Sequence, residues 1–280
     1  TQQWQEISLG GPIVKDKAWY FTSFQYWQED IGSIFNESVR EGDRYNFQFK
    51  TTVQVNPDNT LVFNLATDPA RFENCITDAR YSPGTNYDQT QGGFFFQARD
   101  TQIFSSRAFL ESQIFLHHQY LTARPVDPSL GAFVIGLSDG DPADGVGGSS
   151  TAQSFAGTFP NNQDRSTMRT RLSEAVTIKA GTSHTVKAGL DYSFLEFTGV
   201  NRSQPAFLDI TDYDPSFEVG GPYFGYQEFI KYDYLEPGKT DRQDREAAAF
   251  VMDTWKPDAH WAVDAGLRVD YQSFVGEKNL

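Results

Sequence analysis

The chain has 280 residues, 39% of them hydrophobic, with a mean hydropathy of −0.51 and a formal net charge of −14. That charge and a pI near 4.6 argue against nucleic acid as a partner, because a phosphate-binding surface needs clustered Lys and Arg. Cys75 is the single cysteine, which excludes an internal disulfide framework, and no apolar run is long enough for a membrane helix.

The aromatic content is high, with 24 Phe, 13 Tyr and 5 Trp against 2 Met. Aromatic side chains favour strands and membrane interfaces. Residue 1 is Thr and no basic-then-apolar signal follows it, so the sequence is expected to be a processed product or an excerpt.

Period-two alternation and turn chemistry predict about ten strands. The first lies near residues 2–12 and the second over 18–28, joined by a tight turn at Asp16. A polar excursion, "EDIGSIFNESVREG", leads to a third strand with Tyr45, Phe47, Phe49, Thr51, Val53 and Val55 on one parity. "NPDN" turns it into "TLVFNLAT". After a loop over 67–93 come "GFFFQARDTQIF" and "AFLESQIFLHHQYLTA", hinged near Ser105 and Ser106, with mixed parity in this pair.

The segment 124–163 reads as a long loop. "STMRTRLSEAVTIKA" then turns at Gly181 into "HTVKAGLDYSFLEFT", where apolar Val186, Ala188, Leu190, Tyr192 and Phe194 oppose Thr185, Lys187, Gly189, Asp191 and Ser193. A second long loop covers 199–245, and "REAAAFVMDTWK" turns through "PDAH" into "HWAVDAGLRVDYQSF". In that last strand Val263, Ala265, Leu267 and Val269 share one parity and Asp264, Gly266, Arg268 and Asp270 the other.

About five short turns therefore alternate with four long polar loops, and the better strands run about 10 to 12 residues. A soluble sandwich scatters its loop lengths over both ends, whereas an outer-membrane barrel puts short turns at the periplasmic rim and long loops outside. The expected fold is all-β: a transmembrane antiparallel barrel segment with its apolar parity toward lipid. Trp19, Trp255 and Trp261 near the short turns, and Trp27, Tyr271, Phe274 and Phe197 toward the long loops, suggest two aromatic girdles.

"LGGPIVKDKAWYFTSFQYWQ" resembles the early barrel hairpin of TonB-dependent outer-membrane receptors, closest to the Oar-like branch with a carboxypeptidase-regulatory-like amino-terminal domain. "HTVKAGLDY" and "AFVMDTWKPDAHWAVDAGLRVDY" are similar to further strands of that family and occur in the same order. One departure is Val269 before Asp270, where the family usually carries an aromatic residue. The resemblance implies a partial barrel domain over residues 1–280, about ten strands of about 22, with the plug and the TonB-contacting segment outside it. It also implies an active importer of a scarce nutrient in the Gram-negative outer membrane, with outer-membrane lipid, its own plug, the TonB complex and a small nutrient as partners. A structural or adhesive barrel, or a soluble secreted glycan-binding β-protein, are the competing readings.

Two groups of residues follow as site candidates. Lys50, Arg169, Arg171, Lys187, Asp191, Asp264 and Arg268 lie on the expected lumen parity and would contact a plug or line the pore. Tyr213, Phe217, Tyr223, Phe224, Tyr226, Tyr232 and Tyr234 crowd the longest loop, where they would touch substrate or simply keep the loop packed. Asp139, Asp141 and Asp144 in "SDGDPADG" are a weak calcium motif lacking the distal Glu of an EF-hand. His117 and His118 are adjacent, so in a strand they point to opposite faces and cannot share a metal. No nucleophile elbow, phosphate loop or His-Glu-x-x-His motif is present, and neither an enzyme nor a cofactor is expected.

Overall fold

The computed structural model describes residues 1–33, 36–82, 84–138, 152–160, 162–202, 206–213, 225–232 and 238–276. Among them are fifteen strands and no helix. In chain order these are β1 (Gln2–Val14), β2 (Ala18–Ser33), β3 (Asn36–Asn56), β4 (Asn59–Thr67), β5 (Ala70–Glu73), β6 (Tyr87–Ser105), β7 (Ala108–Pro125) and β8 (Phe133–Ser138). They continue with β9 (Ala152–Ala156), β10 (Gln163–Ala180), β11 (His184–Asn201), β12 (Ala206–Tyr213), β13 (Gly225–Tyr232), β14 (Gly238–Trp255) and β15 (Val263–Val275).

Ten long strands form an antiparallel meander in the order β1-β2-β3-β4-β6-β7-β10-β11-β14-β15. β5 continues the line of β4 between β3 and β6. The break between β4 and β5 falls at Asp68 and Pro69, where proline cannot donate a ladder hydrogen bond. Opposite it, Gly92 has φ 144°, and a Cβ there would come within 2.7 Å of the Pro69 Cα.

All five short turns expected from the sequence are present, with Asp16 in the left-handed region at φ 58°. The strands are longer than expected. An 18-residue strand such as β10 is about 60 Å long at about 3.3 Å per residue, well beyond a roughly 30 Å hydrocarbon core even when tilted. The excess lies at the long-loop end. The excursion over 29–42 is not a loop: β2 and β3 stay paired from Glu29 opposite Gly42 out to Ser33 opposite Asn36. The segments 124–163 and 199–245 also carry strands, and β8, β9, β12 and β13 form a second sheet in the order β13-β12-β8-β9. Polar composition hid these short strands, because one loop supplies only half of the pairing partners.

Cross-strand register fixes which side chains share a face. On β3 the residues from Tyr45 to Val55 present an apolar band about 33 Å along the strand, or about 25 Å high when tilted. Beyond one end of that band Asp43 accepts a hydrogen bond of 2.5 Å from the Tyr26 hydroxyl. Toward the short turns a row of polar groups closes the band, including Asn59, whose Nδ2 donates to Asp100 at 2.8 Å.

Among the described residues no second layer covers the apolar face. Leu190, Leu267 and Val269 are 64%, 67% and 63% exposed, far more apolar surface than a water-soluble monomer leaves uncovered. Buried side chains such as Phe72, Thr85, Ala123 and Thr158 collect toward the long-loop end. The two parities of each long strand therefore meet two different environments.

The aromatic girdles are only half as expected. Trp255 sits on the apolar parity, stacked on His184 with ring centroids 6.0 Å apart. Trp19 and Trp27 pair with Thr52 and Arg44, and Phe197 and Phe274 with Arg242 and Asp244, which places all four on the polar parity. Position near a strand end does not fix the face; parity does.

Candidate functional site

The polar face of β10, β11, β14 and β15 carries a chain of charges. The Arg171 Nη2 donates to Asp191 Oδ1 at 2.9 Å, and the Arg268 Nη1 donates to Asp191 Oδ2 at 3.2 Å. The Arg268 Nε also donates to Asp270 at 2.8 Å. Arg169 reaches Ser193 Oγ at 3.2 Å and Glu246 at 3.3 Å, while Gln272 donates to Asp244 and Glu246. All of these groups except Asp244 line a cavity of about 700 Å³ whose wall also includes Phe95, Gln97 and Phe115.

Arg169, Arg171, Asp191 and Arg268 are thus brought together in one site. Lys187 lies beside it and bridges over β10 to Glu111 at 3.2 Å. Asp264 accepts from the Thr254 hydroxyl at 2.6 Å, toward the short turn. Lys50 is on the same parity but far around the sheet on β3. Sequence reading missed Glu111, Glu246, Asp270 and Gln272 as partners. Their parity was readable, but which carboxylate meets which guanidinium depends on the strand register.

The arrangement is electrostatically balanced and holds no nucleophile with an adjacent base. Ion pairs this exposed contribute only about 0–1 kcal/mol each. Their effect is to fix long side chains in place around the cavity. The two histidines separate as expected: His117 lines a smaller polar-face cavity, and His118 bonds Ser166 Oγ at 3.0 Å on the opposite face.

Of the loop aromatics, Phe217, Tyr223, Phe224 and Tyr234 lie outside the described residues, as do Asp139, Asp141 and Asp144. Tyr213, Tyr226 and Tyr232 belong to strands β12 and β13. The loops contain an aromatic cluster that sequence reading passed over. Tyr81 stacks on Phe155 at 4.4 Å, Tyr87 on Phe159 at 4.7 Å, and Phe133 lies 6.0 Å from Phe155. Arg80 covers Phe155 at 5.6 Å and ion-pairs with Asp78, holding that carboxyl down at about 2. This cluster ties the β5–β6 connection to the β7–β10 connection, so here aromatics keep a loop folded.

Cys75 is half-buried nearby, and burial pushes its thiol up to about 11. Such a thiol is poorly nucleophilic.

No protein-family model matches the sequence, and no curated protein sequence does either. Solved structures do. The outer-membrane transporter YddB from Escherichia coli superposes with a TM-score of 0.65 at 11% identity, over 99% of this chain and 34% of that one. Pseudomonas aeruginosa FpvA, solved with a ferric pyoverdine, gives 0.62 at 12% identity over 98% of this chain and 36% of its own. The fold is that of a TonB-dependent receptor barrel. The open form of the ferric-catecholate import receptor Fiu from E. coli gives a TM-score of 0.58 at 11% identity, over 97% of this chain and 42% of Fiu.

The chain thus spans roughly a third of the length of the first two barrels it matches. In this outer-membrane fold the short-turn end is periplasmic and the long loops are extracellular. A barrel fold of this kind also explains the single-layer sheet, because in such barrels the apolar parity faces lipid.

Proposed function

We propose that the chain is part of an outer-membrane receptor that binds a scarce nutrient and imports it with energy delivered through TonB. The observation that carries this reading is the polar cavity of about 700 Å³ walled by mutually paired charges, in a fold whose solved neighbours are transporters and receptors. Paired charges give a polar wall that a hydrated solute can pass without meeting an unbalanced trap. In this reading the extracellular sheet, whose strands β12 and β13 include Tyr213, Tyr226 and Tyr232, is where a solute is first met.

In this reading residues 1–280 are one arc of a barrel of about 22 strands that also contains a plug. Lipid offers no hydrogen-bond partners, so the outer edges of β1 and β15 each need a further strand. Uptake tests the function directly. Cells with and without the receptor gene are given labelled ferric chelates, copper and oligopeptides, with and without a protonophore. Accumulation of one cargo that needs both the gene and the proton gradient is expected. Passage that ignores the gradient, or no gene-dependent uptake of any cargo, would overturn it.

A further inference from the structure

The lipid-facing parity carries two carboxylates at the edge of its apolar band. Asp100, Ser112, Glu174, Leu190, Ala249 and Val269 lie on one register line across β6, β7, β10, β11, β14 and β15. Asp100 accepts from Asn59 at 2.8 Å, in the polar row that closes the band. Glu174 is exposed and, among the described residues, has no partner. Val176 and Ile178 stand between it and the short turn on the same face, and Leu190 beside it is 64% exposed. The other acid of this face near the short turns, Asp253, is already bonded to His184 at 2.6 Å. A carboxylate set among lipid-facing apolar side chains is costly unless something pairs with it.

These residues line a groove of about 830 Å³. Small Ala98, Ala247 and Ala249 lie there among larger Leu172, Tyr192 and Tyr271, which makes a furrow in an otherwise bulky face. From Asp100 on β6 to Val269 on β15 are five strand spacings, about 24 Å at about 4.8 Å each, the length of an extended fatty-acyl chain. The same register line starts at Ala18 beside the β1–β2 turn and ends at Val269, well inside β15. It therefore climbs from the periplasmic rim into the bilayer, and the carboxylates mark its lower part.

We infer that this groove binds one phospholipid of the periplasmic leaflet whose headgroup carries a primary ammonium. The ammonium sits over Ser112 between Asp100 and Glu174, and one acyl chain follows the alanine furrow. Charge complementarity selects this occupant. Two carboxylates repel an anionic headgroup, and a quaternary ammonium has no N–H to donate to them. A second copy of the chain docked groove to groove would set acid against acid. Arg99 and Asp191 also border the groove, but their side chains belong to the opposite parity, where Asp191 is held by Arg171 and Arg268. Among the described residues no group of three or more His, Cys, Asp or Glu could hold a metal ion in the ammonium's place.

The test titrates the whole receptor in detergent micelles with dioleoyl phosphatidylethanolamine, phosphatidylcholine and phosphatidylglycerol, and counts bound lipid by native mass spectrometry. The ethanolamine lipid should bind about tenfold more tightly than the other two, the effect of one charged hydrogen bond. Asp100→Asn with Glu174→Gln should remove that preference and leave the three lipids alike. Ala249→Leu, which fills the furrow, should weaken all three. Glu196→Gln, on the same parity but outside the groove, should change nothing. Heat-modifiable gel mobility checks that each barrel is folded. Equal binding of the three lipids by the unmodified receptor would reduce the groove to ordinary lipid contact and overturn the inference. A preference that survives the double replacement would place the ammonium elsewhere, and a receptor that is dimeric until Glu174 is replaced would give the groove to a second copy.

Discussion

At Gly189 the absence of a side chain is filled by a neighbour. Phe250 lies directly across on β14, and a Cβ on Gly189 would come within 2.6 Å of its ring and 2.7 Å of the Glu174 carbonyl oxygen on β10. An aromatic ring covering a strand glycine restores the packing the glycine lacks. Gly189→Ala should therefore destabilise the refolded protein by about 1–3 kcal/mol, because a backbone atom cannot give way as a side chain can. Urea titration in detergent micelles measures it. The glycine was legible in "HTVKAGLDY", but its reason was not, since Phe250 is 61 positions away in sequence. Cys75 gives a pH prediction at the same scale. Burial disfavours the thiolate, so its folded value lies above the ordinary one near 9, and alkylation should be slow at pH 8 and rise toward about pH 11. A rate profile with its midpoint near that of a free thiol would show that Cys75 is open to water.

Among elements, the extracellular sheet shows what polar composition concealed. β8 pairs with β9 in its own connection and, in parallel, with β12 from the β11–β14 connection. Phe155 of β9 is tied in turn to Arg80 and Ser82 by backbone hydrogen bonds of 2.8 Å. Three connections are thereby joined by one ladder, and β8 is an inner strand of it. Proline at Ile135 removes a donor from that strand. Ile135→Pro should increase protease cleavage of these connections several-fold while leaving heat-modifiable gel mobility of the barrel unchanged. Unaltered cleavage would show that the ladder does not hold the loops. Sequence periodicity could not find these strands, because five to eight residues give too few repeats and the partners lie in another loop.

For the whole molecule, the decisive property is that one sheet separates two environments. Leu267 is exposed on the apolar parity, and Leu267→Arg should cost about 2–4 kcal/mol near the bilayer midplane. Gln272, on the polar parity, touches Asp244 and Glu246, so Gln272→Arg should be neutral or slightly stabilising. Equal losses from both, read by folding into lipid vesicles, would contradict the two-environment arrangement. The neighbouring position Gly266 is a poor control, because even a Cβ there comes within 3.0 Å of the Val251 carbonyl oxygen. Alternation along "HWAVDAGLRVDYQSF", the tight turn at Asp16 and the unequal joint lengths determined, without any structure, an antiparallel meander with one apolar and one polar face. They did so because these are local properties, set by a two-residue repeat and by turn residues. The pairing of Asp191 with two arginines and the aromatic cluster in the loops were decided only by register and strand order. Those depend on residues far apart in the chain, whose meeting no local pattern encodes.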